Sequence, residues 1–434
     1  MCKTKKSTDV IDPPSPRSSR HQRMSKSNAS SSYVDPSSSV NFTSYNISTT
    51  DTKSSTKSSS KSSSSSRASL VSLKNSLPDN PLIYEFSEIR SATNNFLSKP
   101  FSSSSSSSSW RCLIRGKDVI VFQRKLLRPI ELPELKHQLS VIGRSHHNSL
   151  VKLLGASISG EYVYLVYEFI VGANLAECLR NPRNPNFTVL STWISRMQIA
   201  TDLAHGLDYI HHCSGLNSKF IHNHIKSSSI VITEETLTPK ICHFGTAELC
   251  GETAVTEEEN EEEEEEEGNE SEITTYRRPK RPNVKKIKLE GTRGYIAPEM
   301  MENGAMSQKI DVYAFGVLIL ELISGDEALK FILEKGNRGG GYVRVSLIET
   351  ARKAVESGTG GIRTWVDRRL MDSFPVEVAE KMVVVGLECV EEDPDKRPGI
   401  GRVAGKISKL FLESTRWAES IGKSLDMSVS LAPR

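Results

Sequence analysis

Residues 311–324 read DVYAFGVLILELIS, a stretch that is apolar almost all the way round when wound as a helix. Such a helix is satisfied only when it is packed on every side. No run in the chain reaches the roughly 18 apolar residues of a membrane span, so this segment is expected at the centre of a folded core. WISRMQIATDLAHGLDYIHHC (193–213) reads as a second core helix. Upstream the pattern changes. DVIVF (118–122) and YVYLVYEF (162–169) read as strands, on either side of a helical segment, ELPELKHQLSVIGR (131–144). Strands first and helices afterwards imply an α+β, bilobal architecture. A small β-rich lobe is expected over about 83–168 and a larger α-helical lobe over about 169–415, followed by a tail, 416–434.

Composition separates the flanks from this core. Residues 1–80 hold 12 Lys or Arg against 5 Asp or Glu and are dominated by serine. Such a segment buries too little apolar surface to offset its ordering entropy, so disorder is expected. Cys2, beside the lysines of MCKTKK, is a candidate for S-acylation. An acyl chain plus a basic cluster supplies the two weak anchors of a peripheral membrane protein. A second charged segment interrupts the larger lobe over about 251–288: 12 glutamates within 256–272, then 7 basic residues in RRPKRPNVKKIK (277–288). It is expected to be a disordered insertion, and its basic block is a candidate nuclear signal. The whole-chain charge of +3 gives no general signal for nucleic acid. Seven cysteines without a CxxC pair or a secretory leader suit a reducing compartment with no disulfide framework.

Several ordered motifs carry a family resemblance: SHHNSLVKLLG (145–155), RMQIATDLAHGLDYIH (196–211), GTRGYIAPEM (291–300), KIDVYAFGVLILELISG (309–325) and CVEEDPDKRPGIGRV (389–403). Together they resemble the kinase domain of plant receptor-like kinases, and are most similar to the LysM receptor-like kinases. The likeness covers about 83–415. With no LysM ectodomain or membrane-length run in view, a receptor-like cytoplasmic kinase is the expected comparison. The resemblance implies phosphoryl transfer, a reaction catalysed by positioning and by neutralising spread negative charge.

The residues that such catalysis requires are replaced here. The phosphate-covering glycines align with about Ser102, Ser104 and Ser107, and serine lacks glycine's backbone freedom. Phe122 stands at the strand lysine that grips the phosphates, Ile120 at the small residue against adenine, and Gln138 at the helix glutamate that orients the lysine. Arg124 and Lys125 are the nearest substitutes. Neighbouring strand residues face opposite sides, and Lys125 lies about 10 Å further along, so no replacement is expected. His224 stands at the general-base aspartate of FIHNHIKSSSI, Ser229 at the metal-holding asparagine, and His243 of KICHFGTAEL at the magnesium-chelating aspartate. Magnesium prefers hard oxygen ligands, which neutral imidazole does not supply. His222, His224 and His243 as a zinc site are an alternative weighed against a simply neutral cleft. Lys226 persists, expected as a surface or structural lysine.

What the resemblance implies for structure survives. Phe244 and Gly245 keep the packing half of the DFG unit, Glu299 and Arg397 the expected ion pair, Asp311 the hold on the catalytic-loop backbone, and His222 a packing role beneath that loop. Asn223 removes the arginine that would grip a phosphorylated activation segment. Kinases turn over at about 1–100 per second, and loss of one acid–base group costs about 100- to 10,000-fold. Two mid-range losses leave about one turnover per hour or less. The expected function is a catalytically inactive, kinase-shaped scaffold with no ATP or magnesium cofactor. It would dock a receptor kinase or its substrates in the cytoplasm or at the membrane. It would itself be phosphorylated, on the tail or at Ser271, Thr274 and Thr275. The alternatives are an unconventional kinase with His224 as base, and a nuclear interaction protein.

Overall fold

The computed structural model describes residues 81–103, 107–181, 190–216, 219–253, 292–333 and 342–429. All of them lie in the second of two compact units, Arg67–Arg434. The expectations for Cys2 and the serine-rich tail, for Ser104, and for the charged blocks 256–272 and 277–288 with Ser271, Thr274 and Thr275 fall outside the described residues.

The N-terminal lobe is a six-stranded sheet. Its strands are β1 (Leu82–Ile83), β2 (Ser102–Ser103), β3 (Ser107–Ile114), β4 (Lys117–Lys125), β5 (Leu153–Ser159) and β6 (Tyr162–Glu168), in the order β1-β5-β6-β4-β3-β2. All pairs are antiparallel except β1 with β5. At that parallel pair Leu82 sits opposite Gly155, so close that a Cβ on the glycine would lie 2.0 Å from the Leu82 carbonyl oxygen. Strand alternation gives the sheet two different faces. Val119, Val121, Tyr164 and Val166 pack outward, under helix α1 (Phe86–Ala92) and the rings of Phe86 and Phe96. Ile120, Phe122, Val163, Leu165 and Tyr167 face inward and join a core that runs on into the C-terminal lobe. Helix α2 (Leu132–Ile142) buries Leu135, Leu139 and Ile142 in that same core.

The C-terminal lobe follows the helical pattern. Strand β7 (Gly172–Asn174) leads into α3 (Leu175–Arg180), then α4 (Trp193–Asp208), which ends in one π-helical turn, Tyr209–Cys213. Strands β8 (Ile230–Thr233) and β9 (Pro239–Ile241) form a small sheet with β7. A short helix, α5 (Thr246–Cys250), follows, then α6 (Pro298–Glu302) and α7 (Gln308–Ser324). A two-stranded hairpin, β10 (Leu329–Leu333) and β11 (Tyr342–Ser346), precedes α8 (Leu347–Glu356), α9 (Gly358–Trp365), α10 (Val376–Cys389) and α11 (Ile400–Val429).

Helix α7 is buried from Ile310 to Ser324, as its all-round apolar sequence requires. Fully burying each of Phe315, Leu318, Leu320 and Leu322 contributes about 1.5–3 kcal/mol. Ser307 caps its start and Gly325, at φ 73°, ends it. Gly316 lets α10 approach closely: a Cβ there would lie 2.6 Å from that of Cys389. None of the described helices is long and apolar enough to cross a membrane. The domain was expected to end near 415, but α11 continues to Val429. The reason is that 416–429 continues the preceding helix with neither proline nor glycine except Gly422.

Candidate functional site

The segment 220–230, between α4 and β8, lies between the lobes and has two unlike sides. On its outer side Asp311, in the first turn of α7, accepts three hydrogen bonds: from the His222 amide at 2.7 Å, the Asn223 amide at 2.8 Å and His211 Nε2 at 2.9 Å. Burial alone would raise this carboxyl. The His211 ring and the His222 contacts outweigh it and hold Asp311 below the usual carboxylate range. Asn223 adopts φ 61°, a left-handed conformation that asparagine tolerates better than most residues. Further along, the Tyr295 hydroxyl takes the Ser227 amide at 3.1 Å and donates to Glu321, which also pairs with Arg180. Glu299 binds Arg397 through both oxygens, at 2.6 and 2.7 Å. Asp311 thus holds the backbone at 222–223, and Glu299 and Arg397 form an ion pair.

The inner side faces the cleft, and there rings replace charges. Phe122, on the inward face of β4, meets Tyr167 edge-on at 5.9 Å and His243 at 4.6 Å. His243 in turn lies 5.9 Å from His224, and His224 6.4 Å from His222, both steeply tilted. Edge-to-face contacts at these spacings are the favoured aromatic arrangement. Burial is the main cause that keeps His243 neutral, holding it well below the ordinary histidine range, and His224 and Arg124 push the same way. Burial likewise brings His222 down to about 4. Phe244 packs beneath the row against Phe220, and Tyr167 donates to its carbonyl at 2.9 Å. Gly245, at φ 83°, opens α5.

These residues do not fit a magnesium nucleotide. The two metal-holding positions present His243 Nδ1 and Ser229 Oγ, both buried with no hydrogen-bond partner among the described residues. Neither is a carboxylate, and a hard divalent cation prefers oxygen donors with at least one carboxylate among them, where His243 offers an imidazole nitrogen. The zinc alternative fares no better, because no group of three His, Cys, Asp or Glu among the described residues is placed to hold a metal. Gln138, at the orienting-glutamate position, donates to Glu134 at 3.3 Å, while Glu134 is engaged by Arg128.

Two cleft residues stand differently from the sequence reading, which set Arg124 aside together with Lys125 and did not single out Glu252. Arg124 lies two places beyond Phe122, and so on the same inward face of β4. Its guanidinium is near enough to act on His243, Lys226 and Glu252, so the cleft keeps a cation after all. Lys125, facing the other way, pairs with Glu161 at 3.0 Å. The alternation rule that set Arg124 and Lys125 aside puts Arg124 itself on the face of Phe122. Glu252 carried no such signal and was assigned to the insertion. Instead, α5 packs against α2, and the Cys250 carbonyl accepts from the Leu127 amide at 3.0 Å. That turns Glu252 into the cleft. Its carboxylate takes Asn223 Nδ2 at 2.8 Å and lies 3.1 Å from His224 Nε2. Burial would raise Glu252, but His224, Asn223 and Arg124 together bring it down to about 2. Lys226 Nζ donates to Thr292 at 2.9 Å. The serine run forms the flanks of a hairpin, with Ser102 opposite Ser109 and Ser107 opposite Arg124.

Comparison with known proteins agrees with this architecture. Residues 132–406 match the protein kinase domain family. The chain is 29% identical over 347 residues to LysM domain receptor-like kinase 3 of Arabidopsis thaliana, covering 79% of this chain and 48% of that protein. It is 31% identical over 318 residues to LysM domain receptor-like kinase 3 of Medicago truncatula, covering 73% and 44%. The chain thus spans about half the length of these relatives or less. Among solved structures, the pseudokinase domain of BIR2, an immune regulator of the RLK/Pelle family, superposes with a TM-score of 0.55. That match has 22% identity and covers 79% of this chain and 94% of that one, a likeness of fold. The chain belongs to the protein kinase family, and the relatives it resembles are plant receptor-like kinases.

Proposed function

We propose that this protein is a catalytically inactive, kinase-shaped scaffold that binds signalling partners, a receptor kinase or its substrates, and is itself a phosphorylation target. One observation carries the reading. Where a kinase places a lysine, a metal-binding aspartate and a general base, this cleft places Phe122, His243 and His224 in one edge-to-face row. A triphosphate with magnesium brings four negative charges and a hard cation, and this row answers neither. His224 as an unconventional base would have only Nδ1 to offer a substrate proton, because the Glu252 carboxylate lies 3.1 Å from Nε2. The fold's anchors, in contrast, are kept, which suits a molecule whose product is surface recognition.

The test is thermal unfolding of the full chain with ATP, with and without Mg²⁺ or Mn²⁺, alongside γ-phosphate transfer to a general substrate. The expected result is no shift and no transfer. A nucleotide held at 100 times its dissociation constant would stabilise by about 2.7 kcal/mol, a readily measured change. A metal-dependent shift with transfer that disappears in His243→Ala overturns the scaffold reading. We place the protein in the cytoplasm, with membrane contact through Cys2 and the basic tail. Imaging a fluorescent fusion with Cys2→Ser, and with residues 277–288 deleted, separates that placement from a nuclear one.

A further inference from the structure

The cleft has lost its nucleotide machinery but is not chemically blank. Four side chains from three separate segments meet there: Arg124 from β4, Asn223 and His224 from the loop after α4, and Glu252 from the turn after α5. Glu252 behaves as a ligand bound in a cradle. It reaches Asn223 Nδ2 at 2.8 Å and His224 Nε2 at 3.1 Å, and only 14% of its side chain is exposed. Lys226, near enough to act on His243 and to feel Arg124, donates to the neutral hydroxyl of Thr292 at 2.9 Å. Arg124 Nε is buried with no hydrogen-bond partner, and among the described residues Arg124 makes no ion pair. The charges do not balance. Arg124 and Lys226 bring two positive charges against the single carboxylate of Glu252, while the flanking His222 and His243 are kept neutral by burial. A carboxylate therefore fills the cradle and leaves one positive charge unmatched. A dianionic oxyanion with three acceptor oxygens would match it, and phosphate monoesters are such groups.

We propose that Arg124, Asn223, His224 and Lys226 form a phosphate-monoester site that Glu252 occupies in the unliganded chain, and that its ligand is a phosphorylated side chain on a partner protein. The side-chain source is favoured over a nucleotide for two reasons. The row of Tyr167, Phe122 and His243 fills the path a triphosphate would take. The present occupant is itself an acidic side chain delivered by backbone at the cleft's edge. The inference rests on the scaffold reading for its biological sense, since a dead kinase that holds a phosphorylated residue is a reader rather than a writer. Its test is independent of phosphoryl transfer.

The probes are phenyl phosphate, and a short glycine-flanked phosphoserine peptide with its unphosphorylated counterpart. They are titrated into the full chain at constant ionic strength by calorimetry. Removing the competing carboxylate with Glu252→Gln should tighten phenyl phosphate binding on the order of ten-fold or more, the scale of one charge-assisted hydrogen bond. Adding Arg124→Met should abolish that gain, whereas Arg124→Lys, which keeps the charge, should retain most of it. Urea unfolding of each variant confirms that the chains compared are folded. The phosphoserine peptide should bind and its serine counterpart should not. Equal phenyl phosphate affinity in wild type and Glu252→Gln, or a gain that survives Arg124→Met, overturns the site. Binding of phenyl phosphate with no binding of the phosphoserine peptide overturns the partner assignment. Failure of these titrations leaves the absence of ATP binding and transfer standing, and kinase activity would leave the titrations standing.

Discussion

The two sides of the loop at 220–230 are made of the same few residues, yet they follow opposite electrostatic rules. On the outer side charges are buried and matched. Asp311 takes two backbone amides and a histidine, and beyond it Glu299 closes on Arg397. On the inner side rings predominate, with His243 kept neutral by burial, and the acid Glu252 comes from the turn after α5 instead of the loop. The outer side determines where the backbone goes, and the inner side what the cleft can bind. The groups that hold the backbone and those that line the cleft can thus follow different rules within a single loop.

The comparison can be broken most severely from the outside. Asp311→Ala strands two amides and His211 in the core, and losing one partner of such a buried charged network costs about 3–5 kcal/mol. Urea unfolding should show that loss, and a change below about 1 kcal/mol would mean that the outer side is not what holds the loop.

Acid should sharpen the inner side. His222 has its folded pKa depressed to about 4 from the ordinary 6.5, so its neutral form is the one the fold favours. Its contribution is complete above pH 6.5 and is lost as pH falls toward 4, because the unfolded chain takes the proton first. By pH 5 that is about 2 kcal/mol from His222, and His243, depressed in the same direction, adds to it. Glu252 acts lower down, its contribution present above about 4.5 and lost toward pH 2. Urea midpoints measured from pH 7.5 to 4.5 check the expectation, and His222→Gln should flatten the upper part of the curve. The smallest effect expected is that of Phe122→Ala. The ring is only partly buried and makes two edge-to-face contacts, so about 1–2 kcal/mol should be lost. A neutral result would show that the row fills space without contributing cohesion.

Much of this was legible in the one-dimensional pattern. The strand read at 118–122 became Lys117–Lys125, and the helix read at 131–144 became Leu132–Ile142, because hydrophobic periodicity reports on immediate neighbours. Phe122, His224, Ser229 and His243 could be placed because each lies a fixed distance from a recognisable motif. Arg124 was weighed and set aside, although alternation puts it with Phe122. Knowing that this face borders the cleft required the sheet to be packed. The β10–β11 hairpin and the extension of α11 were missed for a different reason: short apolar runs and propensity-neutral helix ends carry little local signal.

By itself the sequence determined the order of strands and helices, the buried helix read at 311–324 and which residue types stand at Phe122, His224 and His243. Each of these depends on residue type and on spacing along the chain. Only the tertiary structure decided that Glu252 leaves the acidic run to lie against Asn223 and His224, and that Arg124 shares its cleft. Arg124 and Glu252 are far apart in sequence, and no periodicity links them. Their meeting is fixed by α5 packing on α2 and by the direction β4 presents to the cleft, which exist only once the lobes have closed around a common core.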